Sequence, residues 1–100
     1  MPVKLLMSWD ILPGREQDYF EFVVRDFIPG VQKLGLQPSD AWYTYYGDHP
    51  QILAGFTMKE LIEMEQVLDS QEWQELNRQL LDYVEDLDFK IVRARGGFQL

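Results

Sequence analysis

The sequence predicts an α+β fold in which a four-stranded antiparallel sheet carries its helices on one face. Two stretches with apolar residues at helical spacing are each flanked by segments with the two-residue period of a strand. Turn-forming residues between the two middle strands favour a hairpin. The order β, α, β, β, α, β is that of the ferredoxin-like, or split βαβ, arrangement. A chain of 100 residues has room for one such core, so we expect residues 1–100 to form one domain.

The first strand and the first helix are separated by a change of period. Apolar side chains alternate with others over residues 3–11, which predicts a strand, and Pro-Gly at 13–14 ends it. From residue 15 the apolar spacing becomes three and four, and Gly35 is a good C-terminal stop. The residues of this stripe are Phe20, Val23, Val24, Phe27, Val31 and Leu34. Pro29 lies within it, so we expect the helix to kink or break near Phe27.

The stretch SDAWYTYYGDHPQ, residues 39–51, predicts the hairpin. Aromatic residues favour strands, which places the second strand at about residues 41–47. The turn residues GDHP follow, and the third strand is expected from residue 51 to about residue 56.

The second helical stretch is predicted as two pieces, residues 58–69 and 70–86, that meet at a bend. Two residue pairs have the spacing of a capping box, Thr57 with Glu60 and Asp69 with Glu72. The last strand is predicted in the stretch FKIVRARGG, residues 89–97.

Neither face of the predicted sheet is purely polar. The second strand places Ala41, Tyr43 and Tyr45 on one face and Trp42, Thr44 and Tyr46 on the other. A monomer of this fold has one solvated face, so apolar residues on both faces indicate that a second copy covers the face without helices. The sequence therefore predicts a homodimer formed through the sheet faces.

Charge and cysteine content exclude several classes of function. The net charge is −8, with ten acidic and two basic residues between Lys59 and Asp88. This argues against nucleic acid or an anionic membrane as a partner. The chain has no cysteine, and we find neither a signal-peptide core nor an apolar run long enough to span a membrane. We expect a cytoplasmic protein.

Four residues are weak candidates for catalysis. His49 is the one histidine and could act as a base, although a histidine in a turn is usually solvated. Tyr43 and Tyr45 could act as acids, and Asp10, at the end of the first strand, could act as a base or could simply cap a turn. No phosphate-binding glycine loop or metal-ligand cluster is present in the sequence, so we predict neither a cofactor nor a metal.

A second set of residues could line a ligand site. Large aromatic side chains can stack on a planar molecule, and two arginines on one strand face could hold an anion. These residues are Trp9, Trp42, Tyr43, Tyr45, Tyr46, Arg93 and Arg95. The alternatives are core packing or dimer contacts for the aromatics, and balance of the acidic helices for the arginines.

Three stretches carry a resemblance to a known family. They are LPGREQDYFEFVVRDFIPGVQKLGL at residues 12–36, the aromatic second strand, and LDSQEWQELNRQLLDYVEDLDFKIVR at residues 68–93. The chain resembles NIPSNAP-like proteins of the dimeric α+β barrel superfamily over nearly its whole length. The resemblance implies a homodimer whose two sheets form a barrel, with a pocket in each subunit between the sheet and its helices. Relatives of this fold include cofactor-free monooxygenases, haem-binding enzymes, isomerases and proteins of no known activity.

The sequence leaves open whether the protein is an enzyme. The first hypothesis is a NIPSNAP-like protein of unassigned activity that binds a small apolar or aromatic molecule between sheet and helices. The alternative is a cofactor-independent monooxygenase or isomerase that acts on an aromatic or polyketide-like substrate. A third class, an interaction module that uses the acidic helical surface, would bind a basic partner.

Overall fold

The computed structural model describes the backbone of residues 2–46 and 49–93 and the side chains of residues 2–43 and 51–93. The strands are β1 (Val3–Ile11), β2 (Gln37–Tyr46), β3 (His49–Met58) and β4 (Val84–Arg93). The helices are α1 (Glu16–Phe22), α2 (Ile28–Lys33), α3 (Leu61–Leu68) and α4 (Gln71–Leu80), and a π-helical segment, Val23–Phe27, joins α1 to α2. The strand order in the sheet is β2-β3-β1-β4, and all neighbours are antiparallel. The predicted fold class is confirmed.

All helices pack on the same face of the sheet. β1 and β3 occupy the centre, and the residues of β1 that were predicted to share a face are buried together with residues from every helix. The helical members of this core are Tyr19, Phe22, Phe27, Val31, Met64, Trp73 and Leu80. The strand members are Val3, Leu5, Met7, Trp9, Ile11, Ile52, Ala54, Phe56 and Val84. The opposite face, which we call the open face, carries no helix in the described part of the chain.

A kink or break was predicted near Phe27; the chain stays helical there, and the irregularity takes the form of the π-helical segment Val23–Phe27. The residues on either side of the π-helical segment, Phe22 and Ile28, both have right-handed helical dihedrals. Pro29 has no backbone N–H to donate. The wider turn of the π-helical segment accommodates this missing hydrogen bond, so the chain does not have to leave the helix. Gly30 serves close packing rather than a break, since a Cβ atom at Gly30 would lie 2.8 Å from Leu76 Cδ1 in α4.

The predicted apolar stripe of this helix was partly wrong. Phe20 and Val24 are exposed, with 46% and 73% of their surface accessible, while Tyr19 and Phe22 are buried. The π-helical segment rotates the helix surface, so a regular spacing of three and four does not follow one face through residues 16–33.

The second helical stretch ends earlier than predicted. α4 stops at Leu80, and β4 begins at Val84, inside the region that was assigned to the helix. Pairing of Val84 with Ile11 and of Asp88 with Ser8 adds hydrogen bonds to β1 that an exposed extra turn of helix would not provide. A bulge at residues 86–87 shifts the β1–β4 register, and Asp86 there has a positive φ of 56°.

For both predicted capping boxes, the residue at the N-cap position differs from the predicted one. Thr57 belongs to β3, and the residue that precedes α3 is Glu60, whose side chain makes no capping hydrogen bond. The cap of α4 is Ser70, one residue after the predicted Asp69, and its Oγ accepts a hydrogen bond from the Trp73 amide at 3.2 Å. β2 and β3 are also longer than predicted, and Tyr46 pairs with His49 at their hairpin end.

The open face is partly apolar and carries an ion pair. Leu6 is only 3% exposed although no helix of the described residues covers it. Lys4 Nζ lies 2.6 Å from Asp40 Oδ2, and the pair bridges β1 and β2 above Gly55. Leu53 lies on the same face, since it pairs with Ser8 of β1.

Candidate ligand-binding site

A cavity of about 260 Å³ lies between the first helix and the sheet. Its walls come from β1, from α1 with the π-helical segment and the first residue of α2, and from the edge strand β2 and its neighbour β3. The lining residues are Trp9, Tyr19, Phe20, Val23, Phe27, Ile28, Ala41, Trp42, Tyr43, Ile52, Ala54 and Phe56. None of them is charged, so the site is suited to an apolar molecule.

Small residues on the sheet create the space. Ala41 of β2 and Ala54 of β3 are cross-strand partners, and both line the cavity. Cross-strand partners point to the same face, so two methyl groups stand where larger side chains would reach the helix. The packed part of the core lies to the side of them, where Phe27 meets Phe56 with ring centroids 6.4 Å apart.

A tryptophan and a tyrosine form a hydrogen-bonded pair in the cavity wall. Trp9 Nε1 donates to the Tyr19 hydroxyl at 2.9 Å, and each residue is only 2% exposed. The Trp9 ring also contacts Phe27 in an edge-to-face arrangement, with centroids 6.1 Å apart. These contacts orient both rings from two sides, so the wall has a fixed shape.

Burial raises the pKa of Tyr19 to about 12, and the hydrogen bond from Trp9 acts in the opposite direction but more weakly. A buried phenolate would lose its hydration, which is why burial favours the protonated form. Tyr19 is therefore a neutral phenol at physiological pH and can donate its proton in a hydrogen bond.

The mouth of the cavity is aromatic. Phe20 and Tyr43 are 46% and 47% exposed, and their ring centroids lie 6.3 Å apart. Phe20 is in turn packed edge-to-face on Tyr19, at 5.0 Å between centroids. The exposed rings of α1 and β2 thus frame the opening, and a ligand that enters would pass between them.

The structure brings three of the predicted ligand-lining residues to this cavity. They are Trp9, Trp42 and Tyr43. Trp42 pairs with Leu53, which directs its side chain to the open face. Tyr43 pairs with Ile52, on the helix side.

Of the other predicted site residues, Asp10 and Arg93 are not brought to the cavity. Asp10 is on the open face, where it pairs with Gln51 of β3, and Arg93 pairs with Val3 at the far end of β1. Neither lines the cavity. The side chains of Tyr45, Tyr46 and His49, and all of Arg95, lie outside the described residues.

Several lining residues were not recognised as site residues from the sequence. Tyr19 was missed because it lies outside the regular apolar stripe, and Phe20 was assigned to the core. The two small residues that create the space, Ala41 and Ala54, are visible in the sequence. Their pairing follows only from the register of the hairpin.

Comparisons with known proteins support the fold. No protein-family model matches the chain, and no curated protein matches it in sequence. Among solved structures, a NIPSNAP family protein from Agrobacterium tumefaciens matches with a TM-score of 0.72 and 16% identity, over 96% of this chain and 95% of that one. A NIPSNAP-like domain protein from Burkholderia xenovorans matches with a TM-score of 0.70 and 16% identity, over 99% of this chain and 90% of that one.

A more distant match is a candidate antibiotic biosynthesis monooxygenase from Nitrosomonas europaea. Its TM-score is 0.64 at 6% identity, over 93% of this chain and 89% of that one. The predicted resemblance is confirmed, since the solved structures that share this fold include NIPSNAP family proteins. At these identities the likeness shows the fold, a ferredoxin-like α+β domain, and function has to be argued from the site.

No helix within residues 2–46 and 49–93 is long and apolar enough to cross a membrane.

Proposed function

We propose that this chain is a NIPSNAP-like protein that forms a homodimer and binds one small apolar or aromatic molecule in the cavity of each subunit. The observation that carries the proposal is the uncharged cavity between the first helix and the sheet. Its volume of about 260 Å³ is just below the roughly 300 Å³ at which pockets for drug-sized ligands begin, so it suits a ligand of one or two rings.

The homodimer rests on the open face. Trp42 is 41% exposed there, and Leu53 adds half-buried apolar surface at the centre of the sheet. The face is self-complementary in the sense that a two-fold axis would place the same strands against each other. A second sheet would remove this surface from water, and association of two copies is the simplest source of one.

A fill-in variant tests the ligand proposal. α-Methylstyrene, a one-ring hydrocarbon, is expected to bind the wild-type protein with a dissociation constant on the order of 0.1 to 1 mM. Ala41→Phe adds a ring at the cavity wall and is expected to weaken binding at least about tenfold, because the new side chain takes the volume that the ligand needs. The measurement is a titration followed by the amide and indole resonances in NMR spectra.

Val24→Phe is the matched control. Val24 is 73% exposed on the outer surface of the helix, and it does not line the cavity. The same added ring at Val24 is expected to leave the affinity unchanged. Equal binding by the Ala41→Phe variant and the wild-type protein would contradict the proposal.

The alternative is a cofactor-independent monooxygenase or isomerase. It is favoured by the likeness of the fold to the candidate monooxygenase from Nitrosomonas europaea. Against it, the described lining offers no carboxylate, imidazole or amine as a base, and the pKa of about 12 keeps Tyr19 protonated. Protein-dependent oxygen uptake in the presence of a hydroxylated aromatic such as 1-naphthol would favour the monooxygenase, and its absence would count against the monooxygenase.

A further inference from the structure

The Tyr19 hydroxyl is a buried polar group in a cavity wall that contains no charged side chain. It is buried, it lines the cavity with Trp9, and it accepts a hydrogen bond from Trp9 Nε1 at 2.9 Å. A phenol can both accept and donate, and the contact with Trp9 uses an acceptor position. No described residue accepts the Tyr19 proton in return.

A buried donor without an acceptor is costly, and such groups are usually satisfied by a water molecule or a ligand. Trp9 cannot provide the acceptor, because an indole nitrogen only donates. Since Tyr19 is one of the residues that line the cavity, a molecule in the cavity is the partner that could complete its hydrogen bonding.

The chemistry of this donor selects a class of ligand. Because the Trp9 contact already occupies an acceptor position, the pair favours a ligand that accepts over one that donates. A carboxylate would also accept, but the lining contains no lysine, arginine or histidine to offset the loss of its hydration. An uncharged oxygen avoids that cost.

We infer that the ligand of this cavity is an uncharged carbonyl compound with an apolar body, such as an aryl ketone or a quinone, and that the Tyr19 hydroxyl donates to its carbonyl oxygen. This inference rests on the proposed function, because it concerns the same cavity. It adds the functional group of the ligand and the residue that recognises it. The high pKa of Tyr19 supports the donor role, because the proton stays on the phenol at physiological pH.

Three molecules of nearly the same shape test the inference. Acetophenone carries the carbonyl, α-methylstyrene replaces the carbonyl oxygen with a methylene group, and benzoate replaces the methyl ketone with a carboxylate. All three have the same number of non-hydrogen atoms. Each is titrated into the wild-type protein and into Tyr19→Phe, and dissociation constants are obtained from NMR shifts.

The expected result is a selective loss. Tyr19→Phe should weaken the binding of acetophenone about tenfold and should change the binding of α-methylstyrene by less than about twofold. One hydrogen bond contributes roughly a factor of ten to the affinity. Benzoate should bind the wild-type protein at least about tenfold more weakly than acetophenone. The deciding quantity is the ratio of the dissociation constants of acetophenone and α-methylstyrene, because a general change in the cavity affects both constants and cancels in the ratio.

Two results are distinguishable failures. If α-methylstyrene binds but Tyr19→Phe weakens it as much as acetophenone, the carbonyl inference is overturned and the proposed function stands. If neither neutral molecule binds the wild-type protein, both are overturned.

A measurement on the wild-type protein covers the case in which Tyr19→Phe does not fold. The infrared carbonyl stretch of bound acetophenone should lie below its position in an alkane solvent, because a hydrogen bond weakens the C=O bond. A band at the alkane position would overturn the inference.

Discussion

At the scale of single residues, the hydrogen-bonded Trp9–Tyr19 pair belongs both to the buried core and to the wall of the cavity. Trp9 was predicted as a ligand-lining residue because it is a large aromatic on a strand, and it does line the cavity. Tyr19 could not be predicted, because its burial depends on how the helix is rotated by the π-helical segment that follows it. The spacing of apolar residues in the sequence predicts a regular helix, whereas the π-helical turn depends on tertiary packing.

The raised pKa of Tyr19 predicts a loss of stability in alkali. An unfolded tyrosine ionises near pH 10, whereas folded Tyr19 ionises near pH 12, so between these values the unfolded state binds fewer protons. The stabilisation that comes from keeping Tyr19 protonated is fully present in the free energy of unfolding below pH 10, and it is lost as the pH rises through 12. It amounts to about 2 to 3 kcal/mol, and urea unfolding at pH 9, 10 and 11 would measure its onset.

The Tyr19→Phe variant is the control for this effect. Other tyrosines and lysines also titrate in this range, so the tested quantity is the difference in unfolding free energy between the wild-type protein and the variant. That difference should narrow as the pH rises from 9 to 11. A difference that stays constant would show that Tyr19 ionises normally.

At the scale of elements, the sequence predicts which elements exist better than where they end. β1 has its predicted bounds of residues 3–11 because the apolar alternation and a Pro-Gly stop act together. The boundary between α4 and β4 was wrong because Val84 and Leu87 continue the helical spacing of Leu80. The competition is decided by pairing with β1 and by the bulge near Asp86, which no local pattern reveals.

The start of α4 provides an element-scale prediction. Ser70 Oγ accepts from the Trp73 amide and donates to the Val67 carbonyl at 2.6 Å, so it satisfies the end of α3 and the start of α4 together. Ser70→Ala is expected to lower the free energy of unfolding by about 1 kcal/mol, within a range of roughly 0.5 to 2 kcal/mol. Urea denaturation monitored by circular dichroism measures this value.

Asp69→Ala is the matched control, because Asp69 has the spacing of an N-cap in the sequence, whereas in the structure it is the C-cap residue of α3 and the N-cap of α4 is Ser70. Its effect should stay within about 0.5 kcal/mol. A larger loss for Asp69→Ala than for Ser70→Ala would show that the cap is placed wrongly.

At the scale of the whole molecule, the fold class was predictable because the two periods and their order leave few topologies. The cavity was expected between sheet and helices from the family resemblance, but its location at the Ala41–Ala54 pair required the hairpin register. The open face was expected from apolar residues on both faces of the strands. Its partner remains a proposal.

The homodimer gives a prediction at this scale. Leu53→Asp places a charge at the centre of the open face and is expected to shift the protein from dimer to monomer, because a buried unpaired carboxylate is costly at an interface. Ile62→Asp is the matched control, since Ile62 is 66% exposed on α3 and does not face the sheet interface. Sedimentation velocity at micromolar concentration measures both variants. A monomeric wild-type protein would refute the dimer.

The central claim is that a small apolar molecule occupies the cavity between the first helix and the sheet. The most direct measurement is a set of nuclear Overhauser effects between bound α-methylstyrene and the methyl groups of the protein. We predict contacts to Ile52 and Ala54, which line the cavity. Contacts to Leu6 and Leu53 instead would place the molecule on the open face and contradict the account.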